Sequence, residues 1–166
     1  MTKVYWTKLK INEWEIHMAA TDKGLCYAGT PLETFDDLNR YITKWLPTFE
    51  LIESEKEMGP YIEDLLSFFN GSSKQFTLPI DPYGTDFQKS VWQALTEIPY
   101  GQTVSYSDIA NQIDKPSAVR AVGSAIGANP ILIVVPCHRV IAKNGKLTGF
   151  RGGLEMKRQL LELESR

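Results

Sequence analysis

Cysteine and histidine are scarce in this chain of 166 residues, with two of each: Cys26 and Cys137, His17 and His138. Two thiols cannot build a disulfide framework, and two Cys with two His give a four-ligand zinc site little to work with. Neither a disulfide scaffold nor a metal or other cofactor is expected. Long apolar runs are missing too. The longest is far shorter than a membrane span, and Met1-Thr2-Lys3-Val4-Tyr5-Trp6 lacks the apolar core of a secretory leader. The expectation is a soluble, cytoplasmic protein with no membrane partner. Strong net charge is absent as well, at −2 overall, which argues against a general nucleic-acid binder. No internal repeat or low-complexity segment occurs.

What is present is enough apolar content, 43%, to bury a core in one domain or two small ones. Charge is unevenly spread. Residues 1–82 carry 8 Lys and Arg against 13 Asp and Glu, net −5, whereas residues 83–166 carry 10 against 7, net +3. A polyanion, if one binds, would meet the second half.

Val4 to Met18 holds aromatic and β-branched residues in loose alternation; Thr21-Asp22-Lys23-Gly24 then turns the chain into Leu25–Ala28, a hairpin pattern. From Pro31, apolar residues recur at three and four up to Trp45, giving an amphipathic helix that Pro47 stops. Glu50–Glu57 reads as an acidic, solvated stretch. A second helix runs from Pro60 to Asn70-Gly71, and Phe76–Ile80 is extended. The turn cluster Asp81-Pro82-Tyr83-Gly84 marks the domain boundary, giving domains 1–82 and 83–166. Nothing before it has the spacing of a catalytic site, and Cys26 reads as core.

The second part carries the chemistry. Phe87 to Ile98 is a helix ended by Pro99. Ser105-Tyr106-Ser107-Asp108 is a capping-box pattern opening a short helix, Ser107–Ile113, and Ser117 caps another, Ala118–Ala128. Two short helices across a tight turn read as a helix-turn-helix. On the second, Val119, Val122 and Ile126 face the core. The opposite face has Arg120, Ser124 and Gly127 among alanines, one long cation with almost no other side chain. A reader of base edges would need Asn, Gln or several Arg. This face can instead lie close to a groove and insert Arg120 into a base stack, or it can simply pack tightly on another helix. Asn129-Pro130 leads directly into Ile131–Val135, a run that reads as a buried strand ending at Pro136-Cys137-His138-Arg139. A thiol with an imidazole and a guanidinium beside it has the neighbours a thiolate nucleophile needs; a buried structural cysteine is the plainer alternative. Asn144-Gly145 centres a tight hairpin turn, and Thr148-Gly149-Phe150-Arg151-Gly152-Gly153 is a glycine-rich loop, either able to approach a flat ligand or a flexible connector before the last helix. The last helix, Leu154–Glu164, places Leu160, Leu161 and Glu164 on one face. An inward carboxylate needs a partner, and His138 or Arg139 is the natural one.

Pro136-Cys137-His138-Arg139-Val140, with Arg120-Ala121-Val122-Gly123, Asn129-Pro130, Gly149-Phe150-x-Gly152-Gly153-Leu154 and Glu164, resembles the methylated-DNA-protein-cysteine methyltransferase family, the O6-alkylguanine-DNA alkyltransferases. The resemblance implies an α/β fold with a small RNase H-like N-terminal domain and a winged helix-turn-helix C-terminal domain. It implies a monomer that binds double-stranded DNA in the minor groove, flips O6-alkylguanine (or O4-alkylthymine) outward and takes the alkyl group irreversibly, once per molecule. By position, Cys137 resembles the acceptor, His138 the base acting through water, and Glu164 its orienting carboxylate. Tyr106 resembles the phenol that turns the nucleotide and donates to guanine N3, Arg120 the finger filling the vacated stack, and Asn129 the hinge. Ser124, Phe150 and Arg151 fall among the DNA- and substrate-contacting positions, with Phe150-Arg151 replacing the Tyr-Ser of vertebrate members. Other classes explain less. A DNA-binding regulator leaves Cys137 unused, a cysteine hydrolase leaves the Arg120 helix unused, and an alkyltransferase-like lesion sensor should lack the cysteine.

Overall fold

In the computed structural model, which describes residues 1–166, the chain divides between Tyr83 and Gly84 into two units. No helix is long and apolar enough to cross a membrane.

The first unit is a four-stranded sheet in the order β3-β2-β1-β4: β1 (Thr2–Ile11), β2 (Trp14–Thr21), β3 (Gly24–Ala28) and β4 (Phe49–Glu53). Strand residues alternate between faces, and the burial follows. Val4 and Ala19 sit with Cys26 and Tyr27 under Leu38 and Ile42 of helix α1 (Phe35–Trp45). Burying Leu38 and Ile42 contributes about 1.5–3 kcal/mol each. On the other face lie Leu9, Ile11, Ile16 and Met18; Trp14, of the same parity, meets Phe69 of helix α2 (Glu55–Phe69) edge-on at 5.8 Å. The sheet is therefore covered by a helix on each side.

Three expectations for this unit need correcting. Val4–Met18 is not one run, because the chain reverses at Asn12-Glu13, Asn12 taking φ 55, so that Leu9 pairs with Ile16 and Ile11 with Trp14. The tolerance of Asn for a left-handed conformation makes that turn. The stretch after Glu50 is not solvated coil. Phe49–Glu53 pairs parallel with β1, its glutamates exposed along an edge strand, where charge is usual. Helix α2 begins at Glu55, capped by Ser54, whose side chain accepts from Glu57 N at 3.1 Å, and Pro60 lies inside it.

The second unit contains α3 (Asp86–Thr96), β5 (Val104–Ser105), α4 (Tyr106–Gln112), α5 (Val119–Gly127), β6 (Val140–Ile141) and α6 (Leu154–Glu164). Ser105 caps α4 through the expected box with Asp108, whereas α5 starts after Ala118 with no side-chain cap, so Ser117 does not serve there. Trp92 of α3 donates Nε1–H to Ala125 O of α5 at 2.8 Å, a buried bond that fixes α5 on α3. Strands β5 and β6 pair in parallel, Val104 with Val140 and Ser105 with Ile141. Because β5 runs straight into α4 and β6 follows directly on Arg139, this short ladder puts the start of α4 beside the Cys-His-Arg segment.

Candidate active site

The approach to Cys137 is not a strand. Ile131–Val135 forms a buried double turn: Val134 N donates to Leu132 O at 2.8 Å across Ile133 at φ 73, and Val135 N donates to Ile131 O at 3.0 Å. A third tight turn, Cys137 N to Val135 O at 2.8 Å, bends around Pro136. A β-branched residue at positive φ is strained, so something must hold it there. Asn129 does. Fully buried, its amide Nδ2 donates to Val135 O at 2.9 Å and its Oδ1 accepts from Ile131 N at 3.0 Å, closing the segment at both ends. An apolar run of five residues, four of them buried, looks the same whether its backbone is paired by a ladder or by one side chain, which is why the sequence pattern suggests a strand.

Cys137, His138 and Arg139 then form one turn of 3-10 helix, all three buried. Glu164, on the inner face of α6, receives them. His138 Nε2 lies 2.6 Å from Glu164 Oε2; Arg139 forks onto the same carboxylate at 2.8 Å and 2.9 Å and donates to Ile98 O at 2.7 Å. Gly101 N adds a further bond to Oε1 at 3.2 Å. The expected partner for Glu164 was one of two neighbours; it takes both. With the carboxylate facing Nε2, the proton of neutral His138 sits there, and Nδ1, buried and without a hydrogen-bond partner, is left as the basic position.

Burial opposes the charge on Glu164, but the hydrogen bonds from His138 and Arg139 outweigh it and hold the carboxyl at about 2. Burial likewise pushes the His138 imidazole below its ordinary range, against the pull of Glu164. For Cys137, burial raises the thiol, while a hydrogen bond from Asn129 and the charges of Arg151 and Lys157 pull it back.

Lys157 is a residue the sequence pattern did not single out. It has no exposed surface, and its Nζ is held by two carbonyl oxygens, Val140 O at 2.6 Å and Thr148 O at 2.8 Å, with no carboxylate among its partners. Glu164 and Arg139 neutralise each other, so the positive charge of Lys157 acts on the Cys137 thiol, although burial lowers the pKa of the ammonium itself. Its signal lay in the spacing: three residues before Leu160 and seven before Glu164, it falls on the buried stripe of α6.

Arg120 and Ser124 are exposed on α5, along with Ala121, Gly127 and Ala128, so the sparse face with one long cation faces outward. Tyr106, half-buried at the start of α4, lies with its hydroxyl 3.2 Å from Thr148 Oγ1. Phe150 and Arg151 are half-buried in the loop before α6. In that loop a Cβ on Gly152 would come within 2.7 Å of the Phe150 ring and 2.5 Å of Met156 Sδ, so a larger residue there would have to displace both side chains. The Asn144-Gly145 turn is present, with Gly145 N on Ala142 O at 2.9 Å and Gly145 at φ 80, but no second strand follows it. No group of three or more His, Cys, Asp or Glu is placed to hold a metal ion.

Residues 86–166 match the family model of the 6-O-methylguanine DNA methyltransferase DNA-binding domain. An inducible methylated-DNA-protein-cysteine methyltransferase of Bacillus subtilis is 52% identical over 163 residues, 98% of this chain and 91% of the relative. The chain belongs to the methylated-DNA-protein-cysteine methyltransferase family. Its members act in DNA repair by alkyl transfer, and this chain is such a transferase. A Methanosarcina barkeri methyltransferase of the same name is 53% identical over 68% of this chain and 72% of its own length. Among solved structures, the Mycobacterium tuberculosis O6-methylguanine methyltransferase superposes with a TM-score of 0.81 at 40% identity, covering 98% of this chain and 93% of that one. The same Mycobacterium tuberculosis protein in complex with DNA gives 0.81 at 40% identity over 97% of this chain and 92% of that one. These matches bear out the mixed α/β class and the methyltransferase activity expected from the sequence.

Proposed function

We propose that this methyltransferase moves the alkyl group of O6-alkylguanine in double-stranded DNA onto Cys137, irreversibly and once per molecule. The observation that carries the reading is the buried set Cys137, His138 and Glu164, with Glu164 at 2.6 Å from Nε2 and Nδ1 left as the base. In the transfer, the thiol proton passes to His138 Nδ1 through a bridging water, and Glu164 steadies the imidazolium that results. The sulfur attacks the alkyl carbon, the new S–C bond forms as the C–O6 bond breaks, and its electron pair goes to O6. Guanine returns to its keto form by taking up a proton at N1. Lys157 and Arg151 favour the thiolate.

The alkyl carbon lies inside a duplex, so the nucleotide must be extruded, at a cost of a few kcal/mol. The outward face of α5 suits extrusion, because its small residues let the helix approach the minor groove, and Arg120 fills the vacated stack while Ser124 meets backbone. Tyr106 turns the nucleotide and donates to guanine N3, Asn129 couples α5 to the site, and Phe150 and Arg151 border the base. In this reading residues 1–82 are an RNase H-like domain, residues 83–166 are a winged helix-turn-helix domain, and the protein works as a monomer. O4-alkylthymine, which presents a similar alkoxy group, is a second substrate.

Intact-protein mass spectrometry after mixing with an O6-methylguanine oligonucleotide tests the proposal. One methyl per protein, mapped to Cys137, is expected, and the reaction then stops. Sustained turnover at substoichiometric protein, or methyl found on Cys26, would overturn it.

A further inference from the structure

The contact between Tyr106 and Thr148 has no place in the mechanism so far. We infer that Thr148 is a positioning residue for Tyr106: its hydroxyl fixes the phenol against the loop before DNA binds, then backs the phenol as a donor once a base has arrived. The inference rests on the reading of Tyr106 as the group that meets the flipped nucleotide.

The Tyr106 hydroxyl lies 3.2 Å from Thr148 Oγ1, and Thr148 is itself anchored. Its carbonyl accepts from the buried Lys157 Nζ at 2.8 Å, and the same ammonium donates to Val140 O at 2.6 Å. Val140 pairs with Val104, two residues before Tyr106. The connections therefore close a ring: from Tyr106 to Thr148, through Lys157 to Val140, across the ladder to Val104 and back along the chain. The phenol ring also approaches Gly123 of α5, where a Cβ would sit 3.9 Å from Tyr106 Cδ1. The ring thus meets both the helix that bears Arg120 and the loop that bears Thr148, and its hydroxyl is directed to Thr148 Oγ1.

A threonine hydroxyl can accept and donate in turn. In the free protein the two hydroxyls satisfy each other. With guanine bound, Thr148 donates to the phenol oxygen while the phenol donates to the base, and a chain of this kind strengthens each bond in it. Valine keeps the branched shape and leaves the Thr148 carbonyl to Lys157, but removes the hydroxyl.

The test compares repair of an O6-methylguanine duplex with reaction of free O6-benzylguanine, which needs no extrusion. Thr148→Val is expected to slow duplex repair about 3- to 10-fold, the worth of one neutral hydrogen bond, and to slow the free-base reaction by less, because a free base keeps the N3 contact but needs no turning. Thr148→Ser restores the wild-type rate. In a Tyr106→Phe background, Thr148→Val adds nothing further, because its target is gone. If valine impairs folding, judged by thermal melting, Thr148→Ala supplies the hydroxyl-free variant. Equal losses on both substrates, or a Thr148→Val effect that persists undiminished beside Tyr106→Phe, would overturn the inference. Unimpaired duplex repair by Tyr106→Phe alone would instead remove the reading of Tyr106 on which it rests.

Discussion

Cys26 and Cys137 are both buried, at 0% and 4% exposure, and burial raises the pKa of both thiols. They differ in what else is near. Around Cys26 the neighbouring charge is the Asp81 carboxylate, which raises the thiol further, and its Sγ is 3.4 Å from Ala19 O within the sheet core. Around Cys137 the influences run the other way, from the Asn129 amide, Arg151 and Lys157. Depth of burial does not separate Cys26 from Cys137, the proposed nucleophile. The sign of the surrounding charge does, together with a histidine whose free nitrogen can take the proton.

The sharpest break in that comparison is Cys137→Ser. A hydroxyl is far harder to deprotonate in the same surroundings, so transfer measured by mass should vanish while DNA binding, measured by anisotropy, is kept. Next is Glu164→Gln. The sequence alone suggests only slower transfer, through loss of the charge that orients His138. Because Glu164 also carries both bonds from the Arg139 fork, the change leaves a buried guanidinium without a counter-ion, and a stability loss of about 3–5 kcal/mol in denaturant titration is expected alongside the slower reaction.

Lys157→Met asks whether the cation beside Cys137 matters. The thiolate loses a favourable charge, so the pH profile of transfer should move to higher pH and the rate near neutrality should fall. An unchanged profile would mean that Lys157 only ties down carbonyls. Acid should act more gradually. Glu164 has a folded value of about 2 against an ordinary 4.5, so its contribution is present above 4.5 and is lost as pH falls toward 2. His138 is held neutral below its ordinary 6.5, so the unfolded chain takes up its proton first and stability also declines as pH drops below 6.5. Melting temperature should therefore fall steadily on acidification from pH 7, and His138→Gln should flatten the upper part of that slope. The smallest effect is expected at the other thiol: Cys26→Ser retains Ala19 O as acceptor and should leave transfer unchanged.

The sequence revealed the site better than the path of the chain. Capping at Ser105, the bounds of α6 and the pairing of Glu164 with His138 or Arg139 follow from local rules: a polar cap before a helix, and a carboxylate among leucines that must find a cation. The misreadings share a cause. At Phe49–Glu53 the glutamates suggested solvent, but an edge strand has a solvent side; at Ile131–Val135 the apolar run suggested a strand, because burial leaves the same pattern whatever satisfies the backbone. Lys157 escaped notice since a lone lysine on a helix is ordinarily exposed, and its two carbonyl partners come from segments 9 and 17 residues away. In sequence, Thr148 reads only as part of a glycine-rich loop.

The way Asn129 closes the segment after it bears on how the chain can change in length. One amide spans Ile131 N and Val135 O, so the count of residues between those atoms is fixed by the reach of a single side chain. An added or deleted residue there would break one of the two bonds and rotate the thiol off its neighbours. The exposed turn at Lys143–Lys146 is closed by local bonds, Ala142 N to Lys146 O and Lys146 N to Asn144 Oδ1, rather than by a buried side chain that reaches both ends. Length variation among working versions of this protein should therefore gather at that turn and at the exposed Gly71-Ser72 connection, and spare the seven residues from Asn129 to Val135 entirely.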